Sequence, residues 1–207
     1  MEQENEKISF SSTLYPPTQF KLALIPLGIA LNLAVGTIIS ILKIPIYMDA
    51  VGTIIVTLLA GLGAGIATGV LSFIIGGVLT NPVLPYFAGT QAVIAIYVYF
   101  LAKHAAFSTT FKTILSGIGL GVIAGIVSAP IIVYLFGGIT GSGRSLITAY
   151  LLATGKNILK SVILTGAAAE PIDKTFQCLL AIWLLKGVPK SFLRRFKSLS
   201  LERNNLI

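Results

Sequence analysis

DAVGTIIVTLLAGLGAGIATGVLSFIIGGVL, residues 49–79, is the stretch that decides the fold. Between Lys43 and Lys103 the chain carries one formal charge, Asp49. This apolar run is long enough to cross a bilayer several times, since one helical pass needs about 20 residues. The stretch therefore predicts membrane-spanning helices, and it makes Asp49 an exception that needs a physical account.

The composition indicates the same class of protein. The mean hydropathy is +0.92, and 55% of the residues are hydrophobic and 11% charged, whereas a soluble domain has about a quarter of its residues charged. We therefore expect an all-α integral membrane protein with six transmembrane helices in one domain, residues 19–189. An N-terminal tail, residues 1–18, and a basic C-terminal tail, residues 190–207, would flank it, and the basic tail should lie along the membrane surface.

The positions of the passes follow from proline, glycine and polar breaks. Gly61–Gly65 predicts a tight hairpin between two short helices. Residues 144–169 are semi-polar and fit short helices or a re-entrant segment. The remaining predicted passes are residues 20–42, 87–102, 111–136 and 170–187.

Lysine and arginine in short loops predict the orientation. They cluster in three regions that fall on one side of a six-pass bundle: Lys7 and Lys21, Lys103 and Lys112, and Lys186, Lys190, Arg194, Arg195 and Lys197. The positive-inside rule then places both termini in the cytoplasm. The net charge of +8 thus sets orientation, and we expect no nucleic-acid partner.

Polar side chains gather in the loops of the opposite, outward side. We expect a small-molecule site there, because such sites combine apolar walls with a few directed polar groups. Each side chain could instead sit in water or at the lipid headgroups. The candidate ligand-binding residues are Asn81, Tyr86, Gln91, Arg144, Asn157, Lys160 and Glu170. The positive balance of Arg144, Lys156 and Lys160 favours an anionic or carbonyl-rich solute.

Ionisable residues near the apolar runs are costly unless they are paired or hydrated. Glu170 and Lys174 have the spacing of a helical ion pair. Asp49 precedes an apolar helix, where it is placed to act as an N-cap. The alternatives for Asp49 are a ligand contact and an ion pair with Lys174 or Lys160.

Small residues spaced four apart allow helices to approach closely. Ala30 and Ala34 form such a face on the first pass. Two glycine series repeat the spacing and predict internal helix contacts: Gly61, Gly65 and Gly69, and Gly117, Gly121 and Gly125.

Motifs for several functions are missing from the sequence. It has no phosphate-binding loop of the Gly-x-x-x-x-Gly-Lys-Ser/Thr type. His104 is the one histidine, which leaves little for a histidine metal site or histidine acid–base catalysis. We expect neither an enzyme nor a bound cofactor.

Four stretches resemble a known family in their order and spacing. They are Ala30-Leu31-Asn32-Leu33-Ala34, the residues from Pro45 to Thr53, the residues from Gly76 to Pro85, and Ala169 to Lys174 followed by Gly187-Val188-Pro189-Lys190. In this respect the chain, from about Phe20 to Arg195, resembles the substrate-binding S components of energy-coupling factor (ECF) transporters.

The resemblance implies a mechanism and a set of partners. Such a protein, in the cell membrane of a prokaryote, captures a vitamin or related heterocycle outside with high affinity. It then docks on a transmembrane coupling subunit driven by two cytoplasmic ATPases, and toppling in the lipid bilayer carries the site inward. By this resemblance Ala30 and Ala34 form the docking face, and the outward loops form the pocket and its lid. The alternatives are a self-sufficient small carrier or channel, and a membrane sensor that transports no solute.

Overall fold

The computed structural model describes residues 18–193, 196, 202 and 204–206, with side chains from Leu22 onward. This part of the chain is all-helical and contains no strand. Its helices are α1 Thr18–Ile41, α2 Val51–Ala60, α3 Leu62–Leu79, α4 Ala88–Lys103, α5 Thr110–Phe136, α6 Gly143–Ala153, α7 Ile158–Gly187 and α8 Lys190–Leu193, with a 3-10 turn at Leu84–Phe87.

Four segments of the described chain are long and apolar enough to span a membrane. They are Leu22–Ile41, Leu62–Leu79, Leu84–Lys103 and Thr110–Phe136. Many of their large apolar side chains point away from the protein, such as Leu27, Val78 and Ile126, each more than 60% exposed. Apolar exposure on this scale suits lipid rather than water as the surrounding solvent.

Helix α2 is the centre of the bundle. It is 10 residues long and packs against α1, α3, α4 and α7. Every side chain from Val51 to Leu59 is buried except that of Ile55, which is partly buried. A helix of this length extends about 15 Å, roughly half of a bilayer's hydrocarbon core.

The predicted break after α2 is confirmed. Gly61 separates α2 from α3 with a φ of +89°, a backbone conformation that favours glycine because other residues carry a Cβ. Gly65 then lies against Thr57 across the hairpin, and Gly69 lies against Gln91 of α4. The glycine series thus supplies one turn residue and two sites of close packing.

The second glycine series joins α5 to α7. A Cβ on Gly117 would overlap Thr175, and one on Gly121 would overlap the backbone of Glu170 and Pro171. Gly125 lies next to the Glu170 side chain. This confirms the predicted role of the spacing, and it brings the middle of α7 close to α5.

The predicted start of the last pass at Glu170 is wrong. Helix α7 begins at Ile158 and runs for 30 residues with Pro171 inside it. Asn157 caps it, because its Oδ1 accepts a hydrogen bond from Lys160 N at 2.8 Å. The semi-polar character of residues 144–169 suggested that the last pass begins after them. Around Pro171 the helix packs on α5, where Gly121 lies against the backbone of Glu170 and Pro171.

The C-terminal residues that the structure describes pack on the protein. Phe196, Asn204 and Leu206 are buried. The Asn204 side chain accepts from Phe107 N at 2.7 Å and donates to Ala102 O at 2.9 Å. These residues therefore cover the connection between α4 and α5. Arg194, Arg195 and Lys197, like the predicted N-terminal tail with Lys7, lie outside the described residues.

Gly121→Ala should weaken the packing of α5 on α7, because the added methyl group would overlap the α7 backbone. We expect the free energy of unfolding to fall by about 1–3 kcal/mol, seen as a lower thermal midpoint of the full chain in detergent. Gly63→Ala is the matched control, since a Cβ there meets nothing within 4 Å and alanine favours helix. Equal midpoints for the two variants would contradict the close approach.

Candidate functional site

A cavity of about 380 Å³ lies at one end of the bundle. It sits between α1, the segment before α2, the end of α3, α4, α5 and α7. The volume falls in the range of small-molecule sites, about 300–1,000 Å³. Its charged lining residues are Asp49, Glu170 and Lys174, its uncharged polar ones include Asn81, Thr90 and Gln91, and its aromatic ones are Tyr47, Phe73 and Phe87.

One wall of the cavity is the non-helical segment between α1 and α2. Helix α1 ends at Ile41 and α2 begins at Val51, and Met48 in this segment has a φ of +52°. A non-glycine residue in this left-handed region costs about 1–2 kcal/mol. The segment therefore needs specific contacts to hold it.

Asp173 of α7 provides those contacts. Its Oδ1 accepts hydrogen bonds from Tyr47 N at 3.0 Å and Met48 N at 2.9 Å. Its Oδ2 accepts from Lys174 Nζ at 2.7 Å and Gln177 Nε2 at 2.8 Å. Gln177 Oε1 in turn accepts from Ala50 N at 2.8 Å. Side chains of α7 thus accept hydrogen bonds from backbone N–H groups that have no partner within the segment itself.

Asn32 of α1 plays the same part for the start of α2. Its Oδ1 accepts from Gly52 N at 2.7 Å, and its Nδ2 donates to Thr53 Oγ1 at 2.9 Å and Ser72 Oγ at 3.0 Å. Thr53 Oγ1 then donates to Gln91 Oε1 at 3.0 Å. One buried amide therefore joins α1, α2, α3 and α4.

The predicted capping role of Asp49 is wrong. The N-cap of α2 is Ala50, with no side-chain cap bond, because Asn32 already supplies the acceptor for the first N–H groups of α2. Asp49 Oδ1 instead accepts from Lys174 Nζ at 3.2 Å, which is one of the alternatives considered from the sequence. Asp49 also lines the cavity.

The predicted helical ion pair between Glu170 and Lys174 is also wrong. Glu170 Oε1 pairs with Arg144 Nη1 of α6 at 2.5 Å, whereas Lys174 lies between Asp173 and Asp49. Glu170 thus pairs with a residue of another helix, whereas Lys174 pairs with its chain neighbour Asp173 and with Asp49 of the segment before α2. All the side chains of these pairs are buried except that of Asp49, which is 19% exposed.

Tyr47 lies between the two ion pairs. The Arg144 guanidinium carbon and Lys174 Nζ are each 5.9 Å from the centre of its ring, within the range of a cation–π contact. A tyrosine hydroxyl is neutral at physiological pH and can donate a hydrogen bond.

The cavity includes three of the residues expected from the sequence to contact a ligand: Asn81, Gln91 and Glu170. Arg144 lies behind Glu170 as its ion-pair partner. The other three lie outside the lining. Asn157 and Lys160 are exposed at the start of α7, and Tyr86 is 57% exposed, with its ring edge-on to Phe136.

Several residues of the site were not among those expected from the sequence. Asn32, Tyr47, Thr90 and Lys174 line the cavity, and Asp173 holds its wall. A usable signal existed for Asn32, an amide alone among apolar residues of a spanning helix, and for the charges on α7. Thr90 carried no such signal, because threonine is common in apolar helices.

Ala30 and Ala34, the expected docking residues, are exposed on the outer face of α1. Leu27, between them and the start of the helix, is 66% exposed. This face is on the opposite side of α1 from Asn32, which is buried.

Comparisons with protein families, with curated proteins and with solved structures give no match to this chain. The chemistry of the site is therefore interpreted from its own geometry.

Asp173→Asn should destabilise the chain strongly. The change removes a buried negative charge beside Lys174 and replaces one acceptor oxygen by an amide that can only donate. We expect a loss of about 3–5 kcal/mol, the usual cost of breaking a buried ion pair, measured as a lower unfolding midpoint in detergent. Glu202→Gln, the same kind of change at an exposed residue, is the control. If Asp173→Asn unfolds at the same midpoint as this control, Asp173 does not hold the segment.

Proposed function

We propose that this chain is the substrate-binding S component of an ECF-type importer for a vitamin or a related heterocyclic compound. The observation that carries the proposal is the polar cavity of about 380 Å³ at one end of an apolar helical bundle. A solute held there is enclosed by aromatic and apolar walls and meets a few directed polar groups, as small-molecule sites require.

A six-pass topology with cytoplasmic termini is part of the proposal. The passes would be α1, α2, α3, α4, α5 and α7. Helix α2 is too short to cross alone, but residues 44–50 continue its path, and Asp173 and Gln177 accept hydrogen bonds from their N–H groups. Non-helical backbone is tolerated at membrane depth where protein groups satisfy it in this way.

The proposed outward side is the one that holds the cavity. The ends of α1 and α3 and the start of α6 line it. Lys103, Lys112 and Lys186 lie at the opposite end of their helices, as the positive-inside rule requires of the cytoplasmic side. The cavity would then receive solute from outside the cell.

The docking surface for the coupling subunit would be the exposed face of α1 around Ala30 and Ala34. Small side chains let a partner helix approach closely, and such contacts can form and separate reversibly. The two cytoplasmic ATPases would supply the energy, with toppling in the bilayer as the transport step.

Docking gives a test that needs no known ligand. The chain is co-expressed with the coupling subunit and two ATPases of an ECF module and purified by a tag on one ATPase. We expect the wild-type chain to co-purify and Ala30→Trp/Ala34→Trp to be lost from the complex, because two indoles would prevent close approach. Val122→Trp, an exposed position on α5, is the control and should co-purify normally.

Reconstitution then separates the proposal from its alternatives. A solute found on the gently purified chain by native mass spectrometry is offered in labelled form to proteoliposomes. We expect the chain alone to bind it, and uptake to require the ATPases and ATP. Uptake by the chain alone would identify a self-sufficient carrier or channel. Normal docking of the Ala30→Trp/Ala34→Trp variant would show that this face of α1 is not the docking surface.

A further inference from the structure

The carboxylates at the cavity differ in how many of their oxygens are engaged. Both oxygens of Asp173 accept hydrogen bonds, two on each. Asp49 uses Oδ1 for Lys174 and Gln177, and Glu170 uses Oε1 for Arg144. Among the described residues no donor reaches Asp49 Oδ2 or Glu170 Oε2, and both residues line the cavity. Two carboxylate oxygens are therefore available to a ligand.

The two cations beside the cavity are already paired with carboxylates. Lys174 contacts Asp173 at 2.7 Å and Asp49 at 3.2 Å, and Arg144 contacts Glu170 at 2.5 Å. The guanidinium of Arg144 is always protonated, and leaving it buried without an anion would be costly. By formal charge, the three carboxylates and two cations of these ion pairs leave one negative charge in excess. This balance is opposite to the positive one that the outward loops indicate from sequence alone.

A second observation points into the same cavity. Thr90 lines it and is 7% exposed, and its Oγ1 has no hydrogen-bond partner in the described part of the chain. A buried hydroxyl without a partner costs about 1–3 kcal/mol. A bound molecule with a polar edge would remove that cost.

The aromatic lining favours the same kind of ligand. Tyr47 and Phe87 line the cavity. Aromatic faces attract cations and stack on planar groups.

We propose that the cavity selects a small planar organic cation with N–H donors, such as an amidine or a protonated amino-substituted heterocycle. The donors would bind Asp49 Oδ2 and Glu170 Oε2, and Thr90 would bind the edge of the ring. The excess negative charge disfavours carboxylate and phosphate ligands. This inference rests on the proposed solute-binding function and specifies its ligand class.

Three molecules of nearly the same shape test the inference on the purified full chain in detergent: benzamidine, benzamide and benzoate. Calorimetric titration should give benzamidine a dissociation constant at least about tenfold below that of benzamide, a difference of ~1.4 kcal/mol. Benzoate should show no measurable binding.

Variants of the chain test which residues produce the preference for the cation. Asp49→Asn keeps the shape of the side chain and leaves Lys174 paired with Asp173, so the variant should fold. We expect its affinity for benzamidine to be about tenfold lower. Glu202→Gln should leave binding unchanged. Thr90→Val should weaken the binding of benzamide and of benzamidine by a similar factor, because it removes a hydroxyl contact that does not depend on the charge of the ligand.

The outcomes separate this inference from the function on which it rests. No binding of benzamidine, binding of benzoate as tight as that of benzamidine, or full affinity in Asp49→Asn would each overturn the cation preference. Docking to the coupling subunit would still support an S component in those cases. If the chain clearly prefers benzamidine but fails to dock on the coupling subunit, the cation site stands and the assignment as an S component is overturned.

Discussion

The carboxylate of Asp173 holds together the part of the structure on which everything else depends. A non-helical backbone segment inside an apolar bundle has N–H groups with no helical partner, and each would cost several kcal/mol in hydrocarbon. Asp173 accepts two of them, from Tyr47 and Met48. The same carboxylate accepts from Lys174 and Gln177, so the charge that secures the segment also places a cation beside the cavity. One carboxylate thus determines both the path of the segment and the position of the Lys174 charge.

The cavity exists because α2 is short. A full-length helix in its place would fill the space that the segment before it leaves open next to α1, α4 and α7. Close packing elsewhere compensates for this opening: Gly52 lies against the Gly28 backbone between α2 and α1, and the glycines of α5 lie against α7. Bundles in lipid rely on such contacts, since lipid tails are as apolar as the side chains themselves.

Much of the helical outline could be predicted from the sequence, and the pairing of charges could not. The first, fourth and fifth passes agree with α1, α4 and α5 to within a few residues, because long apolar runs with proline and glycine at their ends have few other solutions in a bilayer. Local rules failed where a tertiary partner competed with a local one. Glu170 and Lys174 have ideal helical spacing, yet Glu170 pairs with Arg144, and Lys174 pairs with Asp173 and Asp49. A buried charge gains most from the partner whose geometry is best, whatever its spacing in the sequence.

By itself the sequence determined an all-helical, lipid-compatible chain with a turn at Gly61 and a small-residue face at Ala30 and Ala34. Apolar length, glycine spacing and charge-free runs are local properties, and they need no knowledge of neighbours. Only the tertiary structure decided which of the polar residues enclose a cavity, which carboxylate oxygens stay free, and that Asp49 pairs with Lys174, 125 positions away. The physical reason is that the energy of a charge in an apolar interior depends on groups brought to it by folding.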